Sequence, residues 1–382
     1  MQAPLRIALL VDPLTLKRMH TNHAPRLARE LLGRGHTVRG FWAPPGTIPR
    51  AASEPTVDGG TAPEDGPGLA GFKPDVIVAY DALSPAAWLG TWKGKRLETP
   101  LVLVEEGVSP ASPFPLGILS RLGELLWGSY VRKNAAVVAA LDPVARDQAL
   151  AEGFAPRRVH LIRTGVDLEV FRPGLSSHLV SRHGIRGRIL LHVGPLRERR
   201  GLDTLIQAFA RTVGQRGDWS LVLAGEGPGR RRLRALVERL GIAGRVYWIG
   251  KPREEELPGL MGSSTLYAAP ALGSEERGGA VRRALACGLP VLASDLPRLS
   301  YLMENDVCGL LAPPGDTEAW EGILVRAAGS PMARRRWAHG AREVAQARFD
   351  WEAVAGHFEG LLHGALEAAA AEKSGQVSTS DG

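Results

Sequence analysis

Thr265 to Leu296, TLYAAPALGSEERGGAVRRALACGLPVLASDL, reads as a strand (Leu266 to Ala269), a polar turn, a helix opening at Gly278-Gly279 and a second strand (Pro290 to Ser294). Short apolar runs separated by a helix are the pattern of a β-α-β unit in a buried parallel sheet. A glycine-led helix start aims unpaired backbone N–H groups and the positive end of the helix dipole at whatever lies in front of it, which suits a phosphate. Glu275 and Glu276 stand just before that point. Anion donors and a carboxylate acceptor in one turn suit a phosphorylated sugar.

The same alternation extends in both directions. Upstream to Arg172 it runs RILLHVG, helix Leu202 to Thr212, WSLVLAG, helix Arg230 to Leu240, RVYWIG and STLYAAP; downstream, PVLAS is followed by GLLAPPG. An earlier, separate series begins with LRIALLV, a helix over Ala24 to Leu32 and HTVRGFW. It continues with VIVAY, LVLVEE, a helical Leu116 to Tyr130, AAVVAAL and a helix over Pro143 to Glu152. The segment RRVHLIRTGVDLEVFRP interrupts the pattern and marks a boundary. Two series of this kind predict an α/β protein of two Rossmann-like, doubly wound domains, with ligands beyond the carboxyl ends of the strands and a cleft between the domains. The expected limits are 1–168, with a flexible Pro, Gly, Ser and Thr-rich loop at 43–71, then 169–347, a helix over 348–368 and a disordered tail at 369–382.

Composition narrows the function classes. With 382 residues the chain exceeds one ordinary core, and 44% hydrophobic with 23% charged residues is globular. Two cysteines, Cys287 and Cys308, make neither a C-x-x-C pair nor a disulfide framework, so a reducing, cytoplasmic setting is expected. No signal peptide and no membrane span is legible, so the expectation is a chain neither exported nor transmembrane. A net charge of +7 favours nucleotide phosphates or an anionic membrane surface. Nucleic acid is not expected, because the arginines fall in amphipathic helices without interleaved aromatics. Arg230 to Arg234, opposite Leu233, Leu236 and Leu240, reads as a packed surface helix, and Cys287 as a small core hydrophobe. No metal-ligand spacing occurs.

Several of these segments, in this order, resemble the retaining glycosyltransferases of family 4, the glycosyl transferases group 1, which have the two-domain GT-B architecture. ARELLGRGHTV is similar to the first helix and turn of that family, RTGVDLEVFRP to its interdomain segment and GPLRERRGLDTLIQAFA to its diphosphate loop and helix. LVLAGEGPGRRRLRAL, RVYWIG and EERGGAVRRALACGLPVLAS continue the series, and RFDWEAVAGHFEGLL resembles the terminal helix that crosses back to the amino-terminal domain. GEGPG alone is a tight turn as readily as a phosphate loop.

The resemblance implies roles for individual positions. Gly194 opens the diphosphate loop, where Arg200 takes the place of a Lys, and Pro195 that of an Arg whose charge Arg197 or Arg199 could restore. The Gly278 and Gly279 amides would face the diphosphate, Gly250 and Lys251 would lie by the base, and Glu275 would act on the donor sugar. Arg283 stands where a second glutamate is expected to hold the ribose diol; a guanidinium only donates hydrogen bonds, so it cannot make that contact and could instead reach a phosphate or an acidic sugar. On the acceptor side, His20 and His23 fall in a loop, and Glu105 and Glu106 at a strand's carboxyl end, where a carboxylate could orient a hydroxyl or simply face water.

The implied activity is metal-independent transfer, with retention, of a sugar from a nucleotide diphosphate sugar to a glycan or lipid-linked acceptor, without a further cofactor. The implied setting is cytoplasmic or peripheral at the inner face of a membrane. Two alternatives stand beside it. Pro195, Arg283 and the altered first loop LKRMHTNH together point to an impaired GT-B protein acting as a binding partner. A phosphorylase or nucleotide-sugar epimerase would use the same architecture.

Overall fold

The computed structural model describes residues 3–11, 23–41, 68–107, 127–215, 217–273 and 276–380. Glu275, His20 and most of the 43–71 loop therefore lie outside the described residues. The chain divides into two compact units, Met1–Gly165 with Trp351–Gly382, and Val166–Asp350. These limits differ by three residues from those read in the sequence. The second unit closes on itself: the Val166 amide donates to the Phe349 carbonyl at 2.8 Å, and Val166 bridges Asp350, so its two ends meet.

The first unit contains β1 (Arg6–Leu10), β2 (Thr37–Phe41), β3 (Val76–Tyr80), β4 (Leu101–Glu105), β5 (Val137–Ala140) and β6 (Val159–Leu161), in the order β2-β1-β3-β4-β5-β6. The second contains β7 (Arg188–Val193), β8 (Trp219–Ala224), β9 (Val246–Gly250), β10 (Leu266–Ala269), β11 (Val291–Ser294) and β12 (Gly309–Ala312), in the order β12-β11-β10-β7-β8-β9. The adjacent strands pair in parallel. Helices cover both faces, so alternate residues of one strand enter different cores: Leu190 packs with Leu205 and Phe209, Ile189 and Leu191 with Val281 and Leu285. That two-sided burial is why the strands read as continuous apolar runs.

Several helices begin where a side chain caps the first turn. Ser84, Asp142 and Ser330 each accept an amide hydrogen bond (from Ala87, Ala145 and Ala333, at 3.0, 2.9 and 3.1 Å), and each is followed by proline, whose missing N–H costs nothing at that position.

The last helix, Trp351–Ser380, runs well past residue 368, where the tail was expected to be disordered. Its alanines at 368–371 are small but are also the strongest helix formers. Lys373 and Glu372 then pair with Glu98 and Arg158 at 2.6 and 3.5 Å. Trp351, Val354, Ala355, Phe358, Leu362 and Ala365 form a stripe at helical spacing that packs into the core of the first unit with Leu27, Leu31 and Val78. Glu359 on the same helix meets Arg34 at 2.7 Å and His36 at 3.2 Å. Burial raises its carboxyl, but those two partners outweigh that and hold it below the usual range.

Candidate functional site

In the second unit the strand order changes direction at β7: β8 and β9 lie to one side, β10, β11 and β12 to the other. Loops leaving the carboxyl ends of β7 and β10 therefore diverge from a crevice, the usual ligand position in a doubly wound sheet. The two loops are tied together by the Leu272 amide, which donates to the Arg199 carbonyl at 3.0 Å. The turn after β8 supports the first: the Leu196 amide donates to Glu226 O at 2.9 Å and the Gly229 amide to Leu196 O at 2.8 Å. GEGPG thus serves as a packing turn under the 194–197 loop.

Two donors predicted for a phosphate converge at this point. Arg200 Nη1 donates to Glu276 Oε2, while Glu276 Oε1 accepts the Gly278 amide at 2.9 Å. Both side chains are largely shielded from solvent, Arg200 at 16% and Glu276 at 10% exposure. Gly278 is the N-cap of helix Gly279–Ala286 and takes a left-handed conformation, φ 69°, with no room for a Cβ, which would lie 2.0 Å from Leu302 Cδ1. Only glycine lets the chain turn here into the helix.

His192 lies beneath the loop, 1% exposed. Its Nδ1 meets the Ala268 carbonyl at 2.9 Å, so Nδ1 carries the proton and Nε2 offers a lone pair that has no partner among the described residues. A methyl placed on Gly194 would be 3.3 Å from that Nε2 and 3.9 Å from Arg200 Nη1, which puts ring, loop and guanidinium side by side. Burial, with the Arg200 charge in addition, pushes the imidazole down to about 4. It is a neutral acceptor at physiological pH. The Tyr267 hydroxyl, 3.2 Å from Val193 O, is buried nearby and held protonated by that burial, while Glu276, Arg200 and Arg283 all act on it.

The other predicted donor-side residues separate. Arg197 and Arg199 line a cavity of about 380 Å³ with Arg232 and Gly229, apart from the Arg200 pair. Gly250 closes β9 and faces Glu226, and Lys251 is exposed beyond it. Arg283 pairs with Glu254 and lies 5.2 Å over the Phe171 ring, so the described contacts of its guanidinium are with those two residues, not with Arg200. Glu275 lies outside the described residues.

In the first unit the acceptor-side expectations change. His23 is not a loop residue but the first of helix His23–Gly33, fully buried, with Nδ1 2.9 Å from the Tyr80 hydroxyl and its ring 5.5 Å from that of Trp351. Glu105 does not face water: it is 8% exposed and accepts the Ala82 amide at 2.7 Å, fixing the turn after β3. Glu106 is half-buried, and its charge joins burial in raising the Tyr80 phenol. His20 lies outside the described residues.

Two residues of the site, His192 and Glu254, escaped sequence reasoning, and Glu276, read there only as a carboxylate beside the helix start, proves to be the partner of Arg200. A signal existed for His192: it is the sole polar side chain in the run ILLHV. Among the described residues no three His, Cys, Asp or Glu cluster as metal ligands, and no helix is long and apolar enough to cross a membrane.

Comparison with known proteins places this geometry in a family. The model of the glycosyl transferase 4-like domain matches residues 18–165, and that of glycosyl transferases group 1 matches 181–344. A D-inositol 3-phosphate glycosyltransferase of Jonesia denitrificans is 30% identical over 59% of this chain, a match that spans little more than half (56%) of that relative. An alpha-D-kanosaminyltransferase of Streptomyces kanamyceticus is 26% identical over 74% of this chain and 75% of its own. Among solved structures, Anabaena Alr3699/HepE in complex with UDP shares the fold, with a TM-score of 0.70 and 20% identity over 94% of this chain and 100% of that one. With one domain model on each unit, in chain order, and two parallel six-stranded sheets of the GT-B kind, the chain belongs to the group 1, 4-like glycosyltransferases.

Proposed function

We propose that this protein transfers a sugar from a nucleotide diphosphate sugar to a hydroxyl acceptor, with retention of configuration. One observation carries the reading: Arg200 and the amide at the start of helix Gly279–Ala286 already hold an oxyanion between them, the carboxylate of Glu276. A guanidinium and a helix N-terminus on one oxyanion suit a diphosphate, which they neutralise as it leaves. The reading assigns that neutralisation to these groups rather than to a divalent ion. The uridine nucleotide of the HepE complex, at low identity but a common fold, is consistent with a nucleoside diphosphate here.

Glu275 is assigned to the donor sugar, Gly194 and Gly279 to the diphosphate, and Gly250 and Lys251 to the base. Arg197 and Arg199 provide outer positive charge. Glu254, brought to Arg283, supplies the hydroxyl-accepting carboxylate that the helix itself lacks. The acceptor is assigned to the first unit, on the side of β3 and β4 where Glu105 and Glu106 lie. One relative is named for an inositol 3-phosphate and the other for a kanosaminyl group, so a small polyol, a glycan and a lipid-linked saccharide all belong in the test. The net charge of +7 supports peripheral attachment at an anionic membrane surface, and two cysteines without a disulfide framework support a cytoplasmic setting.

The test is product formation from labelled UDP-, GDP- and ADP-sugars with that acceptor panel, the anomer of any product being read by NMR. A second reading, a binding protein without turnover, is favoured by Pro195, by Arg283 in place of a glutamate and by the altered loop LKRMHTNH; it predicts nucleotide binding with no product from any combination. Conversion of the nucleotide sugar without acceptor would indicate an epimerase.

A further inference from the structure

We propose that Glu276 is a resident competitor of the donor diphosphate and so sets donor affinity; the inference rests on the donor-site reading above. The two oxygens of its carboxylate divide between the two groups a diphosphate would need: Oε2 takes Arg200 Nη1 and Oε1 takes the Gly278 amide. A phosphate oxygen arriving at either donor meets a carboxylate oxygen already there. Two like charges cannot share this shielded spot without a large Coulomb penalty.

The alternative that Glu276 merely orients Arg200 beneath a bound donor requires the carboxylate to stay. Its Gly278 bond argues otherwise, because staying would fill the helix-start amide as well as one face of the guanidinium. Glu276 and Arg277 lie in irregular backbone before the N-cap, so the side chain can swing out without unwinding the helix. The neighbouring acceptor, His192 Nε2, is neutral and buried, so it gives Arg200 no negative charge in place of the departing carboxylate, whereas an incoming phosphate does.

A tethered occupant reduces apparent affinity by the fraction of molecules in which the site is open. Where the bond to Arg200 is worth one charge-assisted hydrogen bond, that fraction is about one in ten or less, and apparent affinity falls by about tenfold or more. Glu276 would therefore tune the site to donors at high concentration and exclude weaker anions.

Titration calorimetry with UDP, GDP, ADP and inorganic pyrophosphate, on the wild type, Glu276→Gln and Glu276→Ala, tests this. Glu276→Gln keeps an oxygen for the Gly278 amide and removes only the charge, so it guards against a folding artefact; thermal melts verify both variants. The expected result is a dissociation constant about tenfold lower or more in both variants, for pyrophosphate as well as for the preferred nucleotide. Nucleotide binding by the wild type that is unchanged or weakened in Glu276→Gln overturns the competitor role and leaves the donor-site reading standing. Failure of every ligand to bind any of the three proteins removes that reading, and the competitor role with it.

Discussion

His192 makes stability depend on pH in a direction and amount set by its surroundings. In the unfolded chain the imidazole titrates near 6.5, and in the fold near 4, chiefly because it is buried and secondarily because Arg200 lies beside it. Between those values the unfolded state binds more protons than the folded one. The neutral ring's contribution is thus fully present above pH 6.5 and is lost as pH falls towards 4. At about 1.4 kcal/mol for each pH unit, the loss is about 3 kcal/mol across that window. His192→Asn is the informative perturbation: the Asn amide nitrogen stands near the place of Nδ1 and can still donate to Ala268 O, but it does not titrate. Urea unfolding of the whole chain, followed at pH 7.5, 6.5, 5.5 and 4.5 by hydrogen exchange in the peptide bearing β7, reads the second unit separately. The wild type should lose stability relative to the variant by an amount that grows to about 2–3 kcal/mol at the lowest pH. His36, also lowered by burial but pulled back by Glu359, titrates in the first unit and is common to both proteins, so it cancels. Wild-type and variant curves that stay parallel throughout would refute the argument.

Three further outcomes are expected. Phe358→Ala, at a fully buried position where the last helix packs on the first unit, should cost about 3–5 kcal/mol in urea unfolding, with exchange rising in β1 and β3 before β7. Gly278→Ala places a Cβ in a left-handed conformation against Leu302 and should destabilise the second unit by about 2 kcal/mol or more while weakening pyrophosphate binding, both read on the same sample. Glu254→Gln should weaken a nucleoside diphosphate several-fold and leave pyrophosphate unaffected, because only the former has ribose hydroxyls; equal effects on both ligands would dissociate Glu254 from the ribose.

The alternation of apolar runs made both sheets legible, since strands buried on two faces are mostly apolar, with few polar positions such as His192. Helix Pro85–Leu97 is not legible as a strong helical run because Gly90 and Gly94 depress its propensity. They are there for close packing: a Cβ on Gly90 would sit 3.2 Å from Leu101 Cδ1, and one on Gly94 2.7 Å from Thr99 O. The Ser-Pro and Asp-Pro pairs at 84–85, 142–143 and 330–331 are the local sequence signals of three of the helices. At the site, the glycine-led helix start and Arg200 were legible because their chemistry is local to one motif. Their pairing through Glu276 was not, because it joins positions 76 residues apart whose side chains meet only once β7 and β10 are neighbours. The same holds for Arg283 and Glu254, and for Glu105, whose carboxylate is consumed by the Ala82 amide from a neighbouring strand's turn.

The central claim is that Arg200 and the start of helix Gly279–Ala286 hold the diphosphate of a nucleotide sugar. Calorimetry of the wild type and Arg200→Ala against UDP, GDP and ADP measures it most directly. At least one of the three should bind the wild type, and Arg200→Ala should weaken it by about tenfold to a hundredfold, the loss of a charge-assisted bond to phosphate. Binding that survives undiminished in Arg200→Ala, or no binding of any nucleotide to a folded wild type, would contradict it.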